Sequence, residues 1–207
     1  SIGEKKFHAK QIFKWLHRNG VTSFDEMTDI SKSLREKLSK NTVIHNMRVI
    51  QSQTSKKEGT MKFLIGLDDN AAIESVLMRY NHGNTLCVST QVGCKMGCKF
   101  CASTKDGFER NLKASEIEGQ ILTVQKYTGE KISNVVYMGI GEPLDNYDNV
   151  MRMLELLTDE KGRNMSMRHI SLSTCGIVPK IYDLADKKLG LTLSVSLHAS
   201  NNTIRSN

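Results

Sequence analysis

Three cysteines within eight residues, Cys94-Lys-Met-Gly-Cys98-Lys-Phe-Cys101, constrain this chain more than any other stretch of it. They follow the apolar run Leu86 to Val92, and Gly93 and Gly97 let the loop fold tightly enough to bring three sulfurs to one centre. A structural zinc site wants four side-chain ligands, usually as two C-x2-C pairs far apart. An iron-sulfur cluster held by three thiolates instead keeps one iron open to a further ligand. The spacing is also compatible with a zinc site completed by His82 or His198, or with a disulfide from Cys94 to Cys98 or Cys101.

Around this loop the pattern strand, loop, helix repeats. Strands are expected at 86–92, 132–138, 169–174 and 191–197. Between them lie a helix with Ile117, Ile121 and Val124 on one face, started by a Ser115/Glu118 capping box and closed by Gly129, and a helix capped by Asn146 that carries Val150, Met153, Leu154 and Leu157. A third helix is expected over 178–189. These are βα units of a parallel sheet. The distinctive strings, Cys94 to Cys101, Gly139 to Pro143, Ser173 to Gly176 and Ser196 to His198, each fall where such a strand ends. Parallel sheets place their reactive centres at that edge, so the four strings converge on one rim. The last strand alternates Leu191, Leu193, Val195 and Leu197 with Thr192, Ser194 and Ser196, giving one apolar and one hydroxyl-bearing face.

Ahead of this, residues 1–47 read as a small helical unit. Ala9, Ile12, Phe13 and Leu16 make one face of a helix over 7–17 that Asn19-Gly20 stops; Ser23 with Glu26 and then Ser31 start two more, the last packing Leu34 and Leu38. Lys10, Lys14 and Arg18 line one side of the first helix, and Trp15 reads as core. Residues 48–82 read as a small β linker with strands at 61–67 and 71–78, a hairpin turn at Asp68-Asp-Asn70 and another turn at 56–59; residues 83–207 form the catalytic part.

The net charge is +7, and the first 50 residues hold ten Lys or Arg against five acids. That excess suits a solvated helix surface and equally an RNA-binding one. No stretch approaches the ~18 apolar residues of a membrane span. The charged opening Ser1 to Lys6 does not resemble a secretory leader, and five cysteines, three of them clustered, fit a reducing compartment. A cytoplasmic protein with no membrane partner is expected.

The C-x3-C-x2-C string, with Phe100 before its last cysteine, resembles the signature of the radical S-adenosylmethionine (SAM) enzymes. Thr85-Leu-Cys-Val-Ser-Thr-Gln-Val-Gly-Cys94, Gly139-Ile-Gly-Glu-Pro143 and Leu172-Ser-Thr-Cys-Gly176 are similar to one branch, the bacterial dual-specificity RNA methyltransferases that act on C2 of an adenine in large-subunit ribosomal RNA and in transfer RNA. The resemblance implies a partly closed (β/α)6 barrel, of which about four strands are present, preceded by the helical domain and the β-hairpin linker. It also implies a 4Fe-4S cluster on Cys94, Cys98 and Cys101 and two SAM molecules per turnover. Gly141 and Glu142 would bind the SAM amino group, Ser173, Ser196, Leu197 and His198 would lie against the cofactor, and Phe100 would pack on its adenine.

Adenine C2 is electron-poor and no nucleophile, so direct methyl transfer from a sulfonium lacks an attacking pair; a radical route needs none. In the family, one SAM methylates a cysteine near the C-terminus and a second yields the radical that activates that methyl. By resemblance Glu74, thirteen residues before Cys87, is the proton acceptor, and Cys87 releases the cross-linked product by disulfide exchange. No cysteine follows Cys175, so the methyl-carrying one is expected beyond Asn207, Cys175 is read as structural, and the chain reads as a C-terminally truncated fragment that should not complete methylation. A monomer served by an electron donor such as flavodoxin is implied. Two rivals stand beside this reading: the sister C8 methyltransferase conferring antibiotic resistance, which generally has Ala where Pro143 stands, and a zinc-stabilised RNA-binding protein without catalysis.

Overall fold

A computed structural model describes residues 4–206; the first three residues of the charged opening and Asn207 lie outside the described residues. Helix α1 (Lys6–Lys14) runs on through a wider π-helical turn (Trp15–Asn19) and ends at Gly20 in the left-handed conformation. A single 3-10 turn, Phe24–Glu26, carries the Ser23/Glu26 capping box, and Ser31 caps α2 (Lys32–Asn41) by accepting from Leu34 N at 3.3 Å. Ile12, Trp15 and Leu16 close over Met27, Ile30, Leu34 and Leu38, whereas Ala9 is exposed. Full burial of side chains such as Met27 and Ile30 is worth roughly 1.5–3 kcal/mol each, so this unit has a core of its own.

The chain then forms β1 (Arg48–Thr54), β2 (Met61–Gly66), β3 (Ala72–Tyr80), β4 (Gly83–Cys87), β5 (Gln91–Gly93) and β6 (Phe108–Asn111). Helix α3 (Ala114–Thr128) follows, then β7 (Ile132–Tyr137), α4 (Tyr147–Thr158), β8 (Ile170–Thr174), α5 (Val178–Asp186), β9 (Thr192–Val195) and the short α6 (Asn202–Ser206). The main sheet has seven strands in the order β1-β2-β3-β4-β7-β8-β9. Its first four are antiparallel neighbours, and β4, β7, β8 and β9 run parallel. The four expected parallel strands are therefore present. Residues 48–80 contribute three strands rather than two, hydrogen-bonded directly onto the parallel set through β3 and β4.

Three local expectations shift. The run 86–92 breaks at Val88 to Thr90: Val88 N still reaches β7, at Val136 O 3.0 Å away, but Thr90 N turns to Ile140 O in the loop beyond β7 at 2.8 Å. The α3 capping box lies at Lys113 and Glu116, whose carboxylate accepts from Lys113 N and both ends of the Arg110 guanidinium. Glu118 is instead buried and meets His17 at 2.7 Å. Asn146 does occupy the N-cap position of α4, but its side chain makes no cap; the amide ties Thr90 O and Leu112 O together at 2.8 and 2.7 Å.

The His17–Glu118 contact also fixes the helical unit against α3. A Cβ at Gly119 would stand 2.5 Å from Met47 Sδ, and Lys126 Nζ reaches Thr22 Oγ1 at 2.8 Å.

Candidate active site

Loops at the carboxyl ends of β5, β7, β8 and β9 enclose one cleft of ≈ 330 Å³, lined by Cys94, Cys98, Cys101, Phe100, Gly141, Glu142, Ser173, Ser196 and His198. The sequence strings thus meet at one rim, as expected from their places at strand ends. Cys87, Glu74 and Leu197 are not part of its wall. His82 is not either; it lines a different cleft, at the opposite strand ends, which removes it as a partner for the three thiols.

The thiol loop is shaped by Gly93, whose φ is +71° and where a Cβ would lie 1.9 Å from Gly107 O. No side chain fits there, so the loop crosses β6 with backbone against backbone. Cys94 N donates to Gly107 O at 3.0 Å, and Cys101 N closes a turn on Cys98 O at 3.0 Å. All five cysteines are free thiols. Burial, and then the neighbouring Cys101, Cys98 and Glu142, push the Cys94 thiol upward. Like charges therefore oppose three simultaneous thiolates, and a bound metal's positive charge is what offsets them. Among the described residues no three His, Cys, Asp or Glu side chains form a ready-made metal cage. The donor chemistry of the loop nevertheless fits an iron-sulfur group, with three thiols facing one cleft that Cys175 and His198 also line.

Glu142 is the hub opposite. Its side chain is buried, yet Oε1 accepts from Leu144 N at 3.0 Å and the Thr174 hydroxyl at 2.7 Å, and Oε2 accepts from Cys175 N at 2.7 Å. The Cys175 thiol also donates to this carboxylate, and with burial as the larger cause its pKa is pushed up to about 12. These donors use all of the roughly four acceptor positions of a carboxylate. Gln91, buried in β5, holds the same turn from below: its Oε1 accepts from Glu142 N at 2.8 Å, and its Nε2 donates to Asn111 and Asp145 at 2.8 Å each. Asp145 in turn pairs with Lys95 of the thiol loop at 2.8 Å. Gly141 has φ +101°, and a Cβ there would sit 2.6 Å from Gln91 Cβ. Sequence reasoning missed Gln91, Asp145 and Thr174; a Gln inside an apolar strand was the available signal.

On the far wall Ser173 and Ser196 hydroxyls stand 3.3 Å apart, and the Phe100 and His198 rings meet at 4.8 Å with Phe100 largely exposed. Cys87 ends β4; burial raises its thiol's pKa, against the lowering effect of the Met138 backbone N–H that donates to the sulfur. Glu74 lies on β3 and pairs with Lys62 at 2.8 Å.

A family model described as the radical SAM superfamily matches residues 88–207, more than half of the chain. This chain belongs to the radical SAM superfamily. A second family model, ribosomal RNA large subunit methyltransferase N-terminal domain, matches residues 1–44. The chain is similar to a protein of Clostridium novyi named probable dual-specificity RNA methyltransferase RlmN, at 57% identity over 98% of this chain and 59% of that one. A protein of the same name from Bacillus velezensis is 54% identical over 99% of this chain and 57% of its own length. The chain thus spans less than two thirds of these curated relatives. A crystal structure of a radical SAM methyltransferase from Sphaerobacter thermophilus superposes with a TM-score of 0.90 at 40% identity, covering 99% of this chain and 61% of that one.

Proposed function

We propose that this chain is part of a SAM-dependent RNA methyltransferase acting on C2 of adenine in ribosomal and transfer RNA. The observation that carries the reading is that the three-thiol loop and the Glu142 turn share one cleft and are tied to each other through Gln91, Asp145 and Lys95. The similarity to relatives named for dual specificity supports the choice of RNA, and Pro143 after Glu142 favours C2 over the C8 chemistry of the sister branch.

Cys94, Cys98 and Cys101 would hold a 4Fe-4S cluster, which when bound supplies single electrons for radical cleavage of SAM. Gly141 brings bare backbone to the cleft, and Glu142 directs negative charge at an ammonium group. Ser173 and Ser196 offer hydroxyls, and Phe100 with His198 offers a wall for an adenine ring. Glu74 would accept a proton once Lys62 releases it, and Cys87 would release the cross-linked RNA by forming a disulfide with the methyl-carrying cysteine as the bond from that cysteine's sulfur to the transferred carbon breaks. That cysteine would belong to the part of the relatives this chain does not span. Residues 1–47, 48–82 and 83–207 would act as RNA-contacting unit, connection and catalytic part. Among the described residues no helix is long and apolar enough to cross a membrane, which suits a cytoplasmic monomer reduced by a flavodoxin-like donor.

The test is anaerobic reconstitution, with iron and sulfide assays and electron paramagnetic resonance before and after SAM. A four-iron signal that changes with SAM is expected. Zinc without sulfide would return the chain to a metal-stabilised RNA-binding protein.

A further inference from the structure

A second cleft, of ≈ 550 Å³, opens at the opposite end of the parallel strands, where β7 begins at Ile132 and β8 is about to begin. Four separate segments bring positive or protonatable side chains to it: Arg18 from the end of the first helix, His82 from the β3–β4 turn, Lys131 ahead of β7, and Arg163 with His169 ahead of β8. No carboxylate lines it. The nearest acid felt by Arg163 is Glu118, which is buried behind the wall and already engaged by His17.

The donors there are only partly used. Arg163 contacts Gln125 through one terminal nitrogen, while its Nε is buried without a hydrogen-bond partner. Behind His169, Asn134 Oδ1 accepts from the ring nitrogen Nδ1 at 2.8 Å, and the Asn134 Nδ2 is buried and unpartnered. Arg18 and Lys131 are exposed. The two unpartnered nitrogens are closed off from the cleft, so the donors a ligand can reach are the exposed Arg18 and Lys131 with the open edges of the other lining side chains. A concave surface carrying several cations, a serine and side-chain amides, with no acid, matches a phosphate better than a carboxylated or neutral ligand.

We infer that this cleft holds a backbone phosphate of RNA, as a contact separate from the thiol cleft and about 20 Å from it, the length of a six-residue strand. Lys10 and Lys14, exposed on the same helix that delivers Arg18, extend the positive surface away from the cleft, which favours a polyanion over a small phosphorylated molecule. The inference rests on the reading of the protein as an RNA-modifying enzyme.

The test is binding of a fluorescein-labelled RNA hairpin to the chain and to its Arg18→Ala/Lys131→Ala variant, by anisotropy across a salt series. Both side chains are exposed, so folding should be retained, and circular dichroism checks it. The expected result is binding weakened on the order of tenfold and a salt slope shallower by roughly 0.7–0.9, the loss of one phosphate contact. Wild-type affinity and slope in the variant would overturn the site while leaving the enzyme reading intact. No RNA binding by the wild type, with a SAM-responsive cluster present, would sink the RNA reading instead. Pyrophosphate bound by the wild type and not by the variant, with RNA binding equal in both, would assign the cleft to a small phosphorylated ligand and overturn the inference.

Discussion

Glu142 receives the backbone N–H of Cys175 at 2.7 Å and its thiol as well, so a residue from the loop after β8 closes the carboxylate that projects from the turn after β7. With the Thr174 hydroxyl and Leu144 N on the other oxygen, no acceptor position is left over. A ligand ammonium can reach this carboxylate only by displacing a donor. The thiol is the weakest of them. Cys175→Ala is therefore expected to tighten SAM binding to the reconstituted chain a few-fold, and Cys175→Ser, a stronger donor, to weaken it by up to roughly fivefold, about 1 kcal/mol. Equilibrium dialysis with labelled SAM measures both; equal affinities would show that Glu142 does not meet the ammonium.

Gly141 is held at φ +101° against Gln91. Gly141→Ala meets both a disfavoured backbone and Gln91 Cβ at 2.6 Å, and since Gln91 is tied to Asn111, Asp145 and Glu142 N, it has no room to withdraw. A loss of about 2–3 kcal/mol is expected in urea denaturation, from strain and displaced hydrogen bonds together. A change under about 0.5 kcal/mol would mean that the turn is far softer than its contacts imply.

Arg79 grips Glu130, which also accepts from Asn84 at 3.0 Å, joining the end of β3 to the turn two residues before β7. The Arg79 hydrogen bond holds the Glu130 carboxyl below its ordinary value of 4.5, against the opposing effect of desolvation. A depressed folded-state pKa means stability that is present above the unfolded value and lost as pH falls through the folded one. Because both side chains are about a third exposed, Glu130→Gln should cost only about 1 kcal/mol at pH 7, and the gap to wild type should close as the pH falls below 4.5. Urea midpoints across that range report it; a gap independent of pH would assign the loss to packing.

Most of the architecture was legible because hydrophobic period and turn residues are local signals: Gly20, Ser31 and the Asp68 to Asn70 turn each end or start an element where expected. Glu118 and Asn146 misled, since a capping pattern and a buried tertiary partner use the same residue types. Only the fold shows that His17, 101 residues away, faces Glu118, or that Asn146 spans Thr90 and Leu112. The rim itself was readable from motif positions at strand ends. Its wiring through Gln91 and Asp145 was not, because a polar side chain in a strand does not name its partner.

The last strand offers a final test. β9 is an edge of the main sheet, and Val195 and Leu197 are more than half exposed, while Ser194 and Ser196 turn inward. An open edge with an apolar face pairs readily with another copy. Val195→Lys places a charge on that face without touching the cleft, where Ser196 and His198 lie. The variant should aggregate more slowly on concentration, by light scattering, with its urea midpoint shifted by no more than about 0.5 kcal/mol equivalent, since an exposed valine contributes little packing. Faster aggregation, or a large loss of stability, would mean that this face is already covered in solution and that the strand is not the edge its exposure indicates.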